Sequence, residues 1–245
     1  ASDDPTQQYT NGGEATNWWL NVLPADWAII DAIPGQSYGA TFRQGYPVDN
    51  GLGMNPLKLA STDGTDYALT QAVDTSSAPK TGYYSLDITN PESTNLEEVR
   101  VIDMLPTLGD VMALSDNAKK STVALQVDGM TLADGSALPS SCELYYSEDA
   151  TPATNRIELT DFSALSGATW IPWDGMSSLP PTAKAVKLVK TDGLLATESF
   201  GMRMQVTLPQ NDGGSTLVAW NTMSAGGKHA GGYIVPGEPH KSGFY

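Results

Sequence analysis

The chain has 245 residues, and 13 Lys and Arg against 28 Asp and Glu give a formal net charge of -15. Such an acidic balance repels phosphate backbones and anionic headgroups at long range, so nucleic acid and membrane surfaces are poor partners. Charged residues make up only 17% of the chain, below the roughly 25% usual for globular proteins, so Ser, Thr, Asn and Gln must supply the polar surface. Six Trp, ten Tyr and regular aliphatic runs can build a core, which argues against intrinsic disorder. The length suits one large all-β unit or two modest domains.

The first ten residues or so are polar. Trp18 to Leu23 and Trp27 to Ile30 come next as dense apolar runs, each readable as a strand or a short buried helix. From Pro34 to Asp66 the chain is rich in turn-forming pairs (Pro34-Gly35, Asn50-Gly51, Asp63-Gly64), because Gly tolerates positive φ and Pro fixes its own. We therefore expect residues 1–75 to be a loop-rich N-terminal β segment. It is either a separate preceding module or a source of extra strands for the C-terminal part of the chain.

From about Thr81 the pattern is regular. Tyr84, Leu86 and Ile88 alternate with Ser85, Asp87 and Thr89, placing three apolar side chains on one face of a strand that Asn90-Pro91 ends. Val99, Val101 and Asp103 alternate with Arg100 and Ile102. Further strands are expected at 121–127, 142–146, 185–190, 201–208 and 217–221, the clearest being Met202, Met204, Val206 and Leu208 interleaved with Arg203, Gln205 and Thr207. Asp-Gly pairs begin at 63, 128, 134, 174, 192 and 212, and this dipeptide favours tight hairpin turns. Helical signal is thin: Thr107 to Lys120 carries Leu108, Val111, Met112 and Leu114 but is interrupted by Gly109 and a Ser-Asp-Asn run. Many short strands with frequent turns predict an antiparallel β-sandwich over residues 76–245.

No catalytic constellation emerges. His229 and His240 both lie in the Gly- and Pro-rich tail, and no zinc or nucleotide motif is present. Cys142, the single cysteine, heads an apolar strand and reads as an inert thiol. Asp63-Gly64-Thr65-Asp66 could offer oxygens to calcium or simply make a turn, so no cofactor is called for and calcium is left open. Trp170 and Trp173 could stack a sugar or line a peptide groove. Core packing is the competing reading for them.

The segment Thr94-Asn95-Leu96-Glu97-Glu98-Val99-Arg100-Val101-Ile102-Asp103-Met104-Leu105-Pro106, with Gly109-Asp110 after it, resembles the "D-x-L-P" signature of Ig-like repeat domains in Gram-positive cell-wall adhesins and pilin-related proteins. Tyr145-Tyr146-Ser147, Trp170, Ala185 to Leu188 and Leu208-Pro209 come in the same order. Ala219-Trp220-Asn221 resembles that family's closing strand, and Glu238 to Gly243 its lead-out toward a next module.

The resemblance implies a non-enzymatic extracellular module of a bacterial surface adhesin or pilus-like protein, anchored to a Gram-positive cell wall as part of a longer chain. It would act as a stalk or a host-ligand-binding domain. Its partners would be a host surface protein or glycan, or neighbouring domains. Some relatives carry an isopeptide cross-link, and by that resemblance Asn221 would be the amide, Asp103 the carboxyl that shuttles the proton, and Lys58 the amine; the competing reading is that Asp103 hydrogen-bonds a neighbouring loop and Asn221 satisfies backbone groups at a strand end. Lys58 is the better choice over Lys80 because Leu57 and Leu59 flank it, whereas Lys80 lies in a polar turn. The alternative function is a secreted carbohydrate-binding domain or glycoside-active enzyme, motivated by the tryptophans and the many acids.

Overall fold

The computed structural model describes residues 53–211, 217–234, 236–238 and 241–245. The apolar runs at 18–23 and 27–30, the Asp212-Gly213 pair and His240 lie outside the described residues. From residue 53 onward the chain builds an all-β sandwich of two sheets, the Ig-like class expected, with one helix among the described residues.

The first sheet has the order β1-β3-β9-β5: β1 (Asn55–Ser61), β3 (Lys80–Thr89), β9 (Ser199–Leu208) and β5 (Gln126–Leu132). The second runs β2-β12-β10-β4-β8-β6-β7, through β2 (Thr70–Gln71), β12 (Ser242–Phe244), β10 (Ala219–His229), β4 (Glu98–Met104), β8 (Ala185–Lys190), β6 (Cys142–Ser147) and β7 (Ile171–Trp173). A short β11 (Gly232–Tyr233) pairs with β10. All pairs are antiparallel except β12 with β2.

Alternation puts Tyr84, Leu86 and Ile88 of β3 and Met202, Met204, Val206 and Leu208 of β9 on an inner face. They meet Val99, Val101, Val186, Leu188, Met223, Ala225 and Phe244 of the second sheet in one continuous core. The sheets approach closely at Gly82, where an added Cβ would lie 2.7 Å from Phe244 of the opposite sheet and 2.6 Å from Leu208 of the neighbouring strand. Only glycine fits there.

Residues 55–61 pair along their whole length with β3, and 70–71 with β12, so this part of the N-terminal segment supplies strands to the sandwich itself. Pro56 is tolerated because β1 is an edge strand.

Several expectations are corrected. The strand placed at 121–127 begins only at Gln126, and Asp128-Gly129 is a bulge inside β5 rather than a hairpin turn: the register against β9 shifts between Val127 and Gly129. Residues 107–120, where the helical signal was thin and interrupted, form turns and a bridge between Val111 and Ala118. The helix is α1 (Pro152–Thr160) instead. Thr151 caps it through a reciprocal capping box with Thr154, and Pro152 occupies its first turn. The strand expected at 217–221 runs on to His229, which is a strand end and not a tail residue. Gly226 lies in it because α1 brings the Leu159 carbonyl against that point, leaving no room for a side chain. Ser242 and Gly243, at the end of the stretch read as lead-out, belong to β12.

On the outer face of the second sheet α1 covers Ile102, Met104 and Ala185 with Leu159, a second and smaller core. Glu158 fastens it. Its carboxylate accepts from Arg100 and Lys187, each at 3.1 Å, and from the Ser166 hydroxyl at 2.8 Å. Burial pushes this carboxyl up, yet the Ser166 hydrogen bond and the two cations outweigh burial and hold it below its ordinary range.

Candidate functional site

The alternation that buries β1 also buries a charge. Leu57 and Leu59 face outward while Lys58 and Ala60 face the core, so a lysine occupies a position that periodicity reserves for an apolar residue. Lys58 is fully buried, opposite Leu86 in the register, with Nζ 4.9 Å from the centroid of the Tyr84 ring.

The same logic places Asp103 on the inner face of β4, after Val99 and Val101. Its Oδ2 accepts a hydrogen bond from Lys58 Nζ across the gap between the sheets. Burial pushes the Lys58 amine below its ordinary value, while the charge of Asp103 and the hydrogen bond to it oppose the shift.

Asn221 completes the group. On β10 it shares the inner face with Met223, and Met223 is the rung opposite Asp103, so Asn221 and Asp103 are diagonal neighbours on one face of the ladder. β1 packs against both β10 and β12 across the sandwich. Asn221 is fully buried, and neither its Oδ1 nor its Nδ2 has a hydrogen-bond partner. Asp103 Oδ1 is likewise buried and unpartnered, as is Ser242 Oγ, whose residue is the β12 partner of Asn221. Each such group costs about 1–3 kcal/mol. An amide with nothing to bind, beside a buried amine and carboxyl, is an expensive arrangement for a core that could hold leucine.

Chemically the set contains a nucleophile, an electrophile and a proton carrier. A lysine driven toward its neutral form by burial can attack a carboxamide. An adjacent carboxyl can polarise the amide oxygen and move protons to the departing nitrogen.

Elsewhere the expected residues separate. Trp173 is buried, with its indole N–H donating to the Ser177 carbonyl at 2.7 Å. Trp170 is half-buried over Lys187, whose Nζ lies 4.5 Å from its ring. The two do not form a shared exposed platform. Asp63 Oδ1 accepts from the amides of Thr65 and Asp66 and from the Ser61 hydroxyl, so this carboxylate closes its own turn. The Cys142 thiol is half-buried and pushed up by burial. Lys80 begins β3 and is exposed.

A second buried lysine, Lys119, escaped sequence reasoning. It sits in a polar, loop-like stretch, and its only signal was proximity to the Gly109-Asp110 motif. Its Nζ donates to the carbonyls of Met104, at 2.5 Å, and Leu105, at 3.1 Å, and lies 3.4 Å from Asp110.

No family model matches the sequence, and no curated protein matches it. Among solved structures, the chain is similar to the major pilin subunit BcpA of Bacillus cereus, at 9% identity and a TM-score of 0.43, over 78% of this chain and 40% of that one. It is similar to domains D2 and D3 of the major pilin SpaD of Corynebacterium diphtheriae, at 13% identity and a TM-score of 0.38, over 76% of this chain and 50% of that one. The collagen-binding domain of a Staphylococcus aureus adhesin aligns at 13% identity and a TM-score of 0.29, over 67% of this chain and 87% of that one. The chain thus spans half or less of the length of the two pilin chains.

Proposed function

We propose that this chain is a non-enzymatic module of a Gram-positive surface adhesin or pilus-like protein, and that its sandwich is closed by an isopeptide bond between Lys58 and Asn221. The observation that carries the cross-link is the buried Lys58–Asp103 contact beside an Asn221 amide whose two polar atoms are both unpartnered. The motif resemblance around Asp103 and Asn221 supports the wider assignment. It extends to an extracellular, wall-anchored location and to a host protein, a glycan or neighbouring modules as partners. No helix among the described residues is long and apolar enough to cross a membrane.

In the reaction Lys58 passes a proton to Asp103 and attacks Cγ of Asn221 as the neutral amine. The protonated carboxyl hydrogen-bonds Oδ1 and stabilises the tetrahedral oxyanion. Asp103 then relays a proton from the attacking nitrogen to Nδ2. The Nζ–Cγ bond forms, the Cγ–Nδ2 bond breaks, ammonia leaves and Asp103 ends protonated. No redox change occurs. The product is a neutral amide in place of a buried charge pair and an unpaired carboxamide.

Intact mass of the full chain tests this. The expected mass is lower than the sequence mass by one ammonia, with Lys58 and Asn221 peptides recovered joined after digestion. Lys58→Ala, Asp103→Ala and Asn221→Ala should each restore the full mass of their own sequence. A wild-type chain at its full sequence mass overturns the cross-link.

A further inference from the structure

Building on that cross-link, we infer that Lys119, Asp110 and Ser121 form a positioning unit that holds the backbone carrying Asp103 against the backbone carrying Asn221. The β4–β10 ladder ends at the Met104–Thr222 rung, and one residue further Asn221 pairs with Ser242 instead. Asp103 is inside the ladder and Asn221 just beyond it. Their separation is therefore not set by strand pairing alone.

The Lys119 unit bridges this gap. On one side Lys119 Nζ holds the carbonyls of Met104 and Leu105, the two residues directly after Asp103. On the other, Ser121 Oγ accepts from the backbone N–H of Trp220, the residue before Asn221, at 2.9 Å. Asp110 joins the halves. Its Oδ2 lies 3.4 Å from Lys119 Nζ and accepts from Ser121 Oγ at 2.5 Å, while its Oδ1 accepts from Ser121 N at 3.1 Å. All three residues are buried.

Two further features fit a built device. Lys120, between Lys119 and Ser121, has φ 69°, a left-handed conformation unfavourable for a side chain that is not glycine, and it turns the chain so that both neighbours serve the same carboxylate. Lys241 Nζ donates to the Lys119 carbonyl at 2.9 Å and lies 4.4 Å from the Trp220 ring, bracing the unit from just before β12. Asp103 is also near enough for its charge to act on Lys119, where it favours the ammonium that holds the two carbonyls.

The test tracks cross-linking in time. The full chain is made by cell-free synthesis, and intact mass is sampled as ammonia is lost, for wild type, Lys119→Met, Ser121→Ala and Ser121→Thr. Urea denaturation of the same substitutions in an Asn221→Ala background reports the fold without the bond. Small misplacements of reacting groups cost large factors in rate. Lys119→Met and Ser121→Ala are therefore expected to slow ammonia loss by about tenfold or more, while Ser121→Thr, which restores the hydroxyl, recovers most of the rate.

Wild-type speed in both Lys119→Met and Ser121→Ala overturns the positioning role and leaves the cross-link standing. Slowing that merely tracks lost fold stability in the Asn221→Ala background, with no recovery by Ser121→Thr, also overturns it. A wild type that never loses ammonia overturns the cross-link and this role with it. Should Lys119→Met fail to fold, the Ser121 pair decides.

Discussion

Tyr84 of β3 donates its phenol hydroxyl to the carbonyl of Ala219 on the opposite sheet, at 3.1 Å, two residues before Asn221. The ring meanwhile packs edge-on against Phe244, with centroids 5.2 Å apart. One side chain thus ties the sheets together and floors the Lys58 pocket. In Tyr84→Phe the ring remains but the hydrogen bond across to Ala219 is lost, and the expected cost is about 0.5–1.5 kcal/mol. Urea denaturation in the Asn221→Ala background measures it. No change there would mean that Ala219 finds another donor.

Removing one half of the Lys58–Asp103 pair should cost more than removing both. Lys58→Met leaves a buried carboxylate alone, at an expected loss of about 3–5 kcal/mol relative to Asn221→Ala. Adding Asp103→Leu replaces both charges with apolar volume and should recover most of the loss. If the double variant is no more stable than Lys58→Met, the lone carboxylate was not the cause.

The buried lysines make stability depend on pH in a definite direction. Burial lowers Lys119 from 10.5 to about 8, against the raising effects of Asp110 and Asp103, and Lys58 is lowered for the same first reason. Between the folded and unfolded values the unfolded chain binds more protons, so stability rises with pH across that window, and the cost of the buried charge is full below it. The urea midpoint of the Asn221→Ala protein should therefore climb from about pH 8 to about pH 9.5, and adding Lys119→Met should flatten part of the climb. The window closes near pH 10, where Tyr84, raised by burial, acts in the opposite sense. A midpoint falling steadily across this range would contradict the assignment.

Glu158 is the fastener of α1. In Glu158→Ala, Arg100 and Lys187 lose their shared carboxylate, and we expect a loss of about 3 kcal/mol, with faster hydrogen exchange at the amides of residues 152–160. Unchanged exchange there would show that Leu159 packing alone holds the helix.

The sandwich was legible because strands with one wet face advertise themselves at period two: β3, β4, β8 and β9 were read within a residue or a few of their ends. Three things hid the rest. Asp128-Gly129 looks like a turn but serves as a bulge, since nothing local reports that β9 lies alongside. The capping box of α1 has Thr154 at its third helical position, where a glutamate would have been the recognisable signal, and the buried face of the helix is short. β10 runs through Gly226 and Gly227, which read as a loop until α1 is seen to need the space at Gly226, and Leu96 and Ile234 the space at Gly227. Of the proposed site, Lys58, Asp103 and Asn221 were singled out through a motif and a flanking pattern. Lys119, Asp110 and Ser121 were not, because their role exists only where β4 ends beside β10.

Lys58 stands on the first described strand of the sandwich, and Asn221 stands among the last three. With a covalent bond between them, tension entering on the N-terminal side leaves toward the C-terminus through that bond, and the strands folded between the two residues fall outside the load path. The sandwich would then transmit a pull without being unzipped by it, whatever the thermodynamic stability of its sheets.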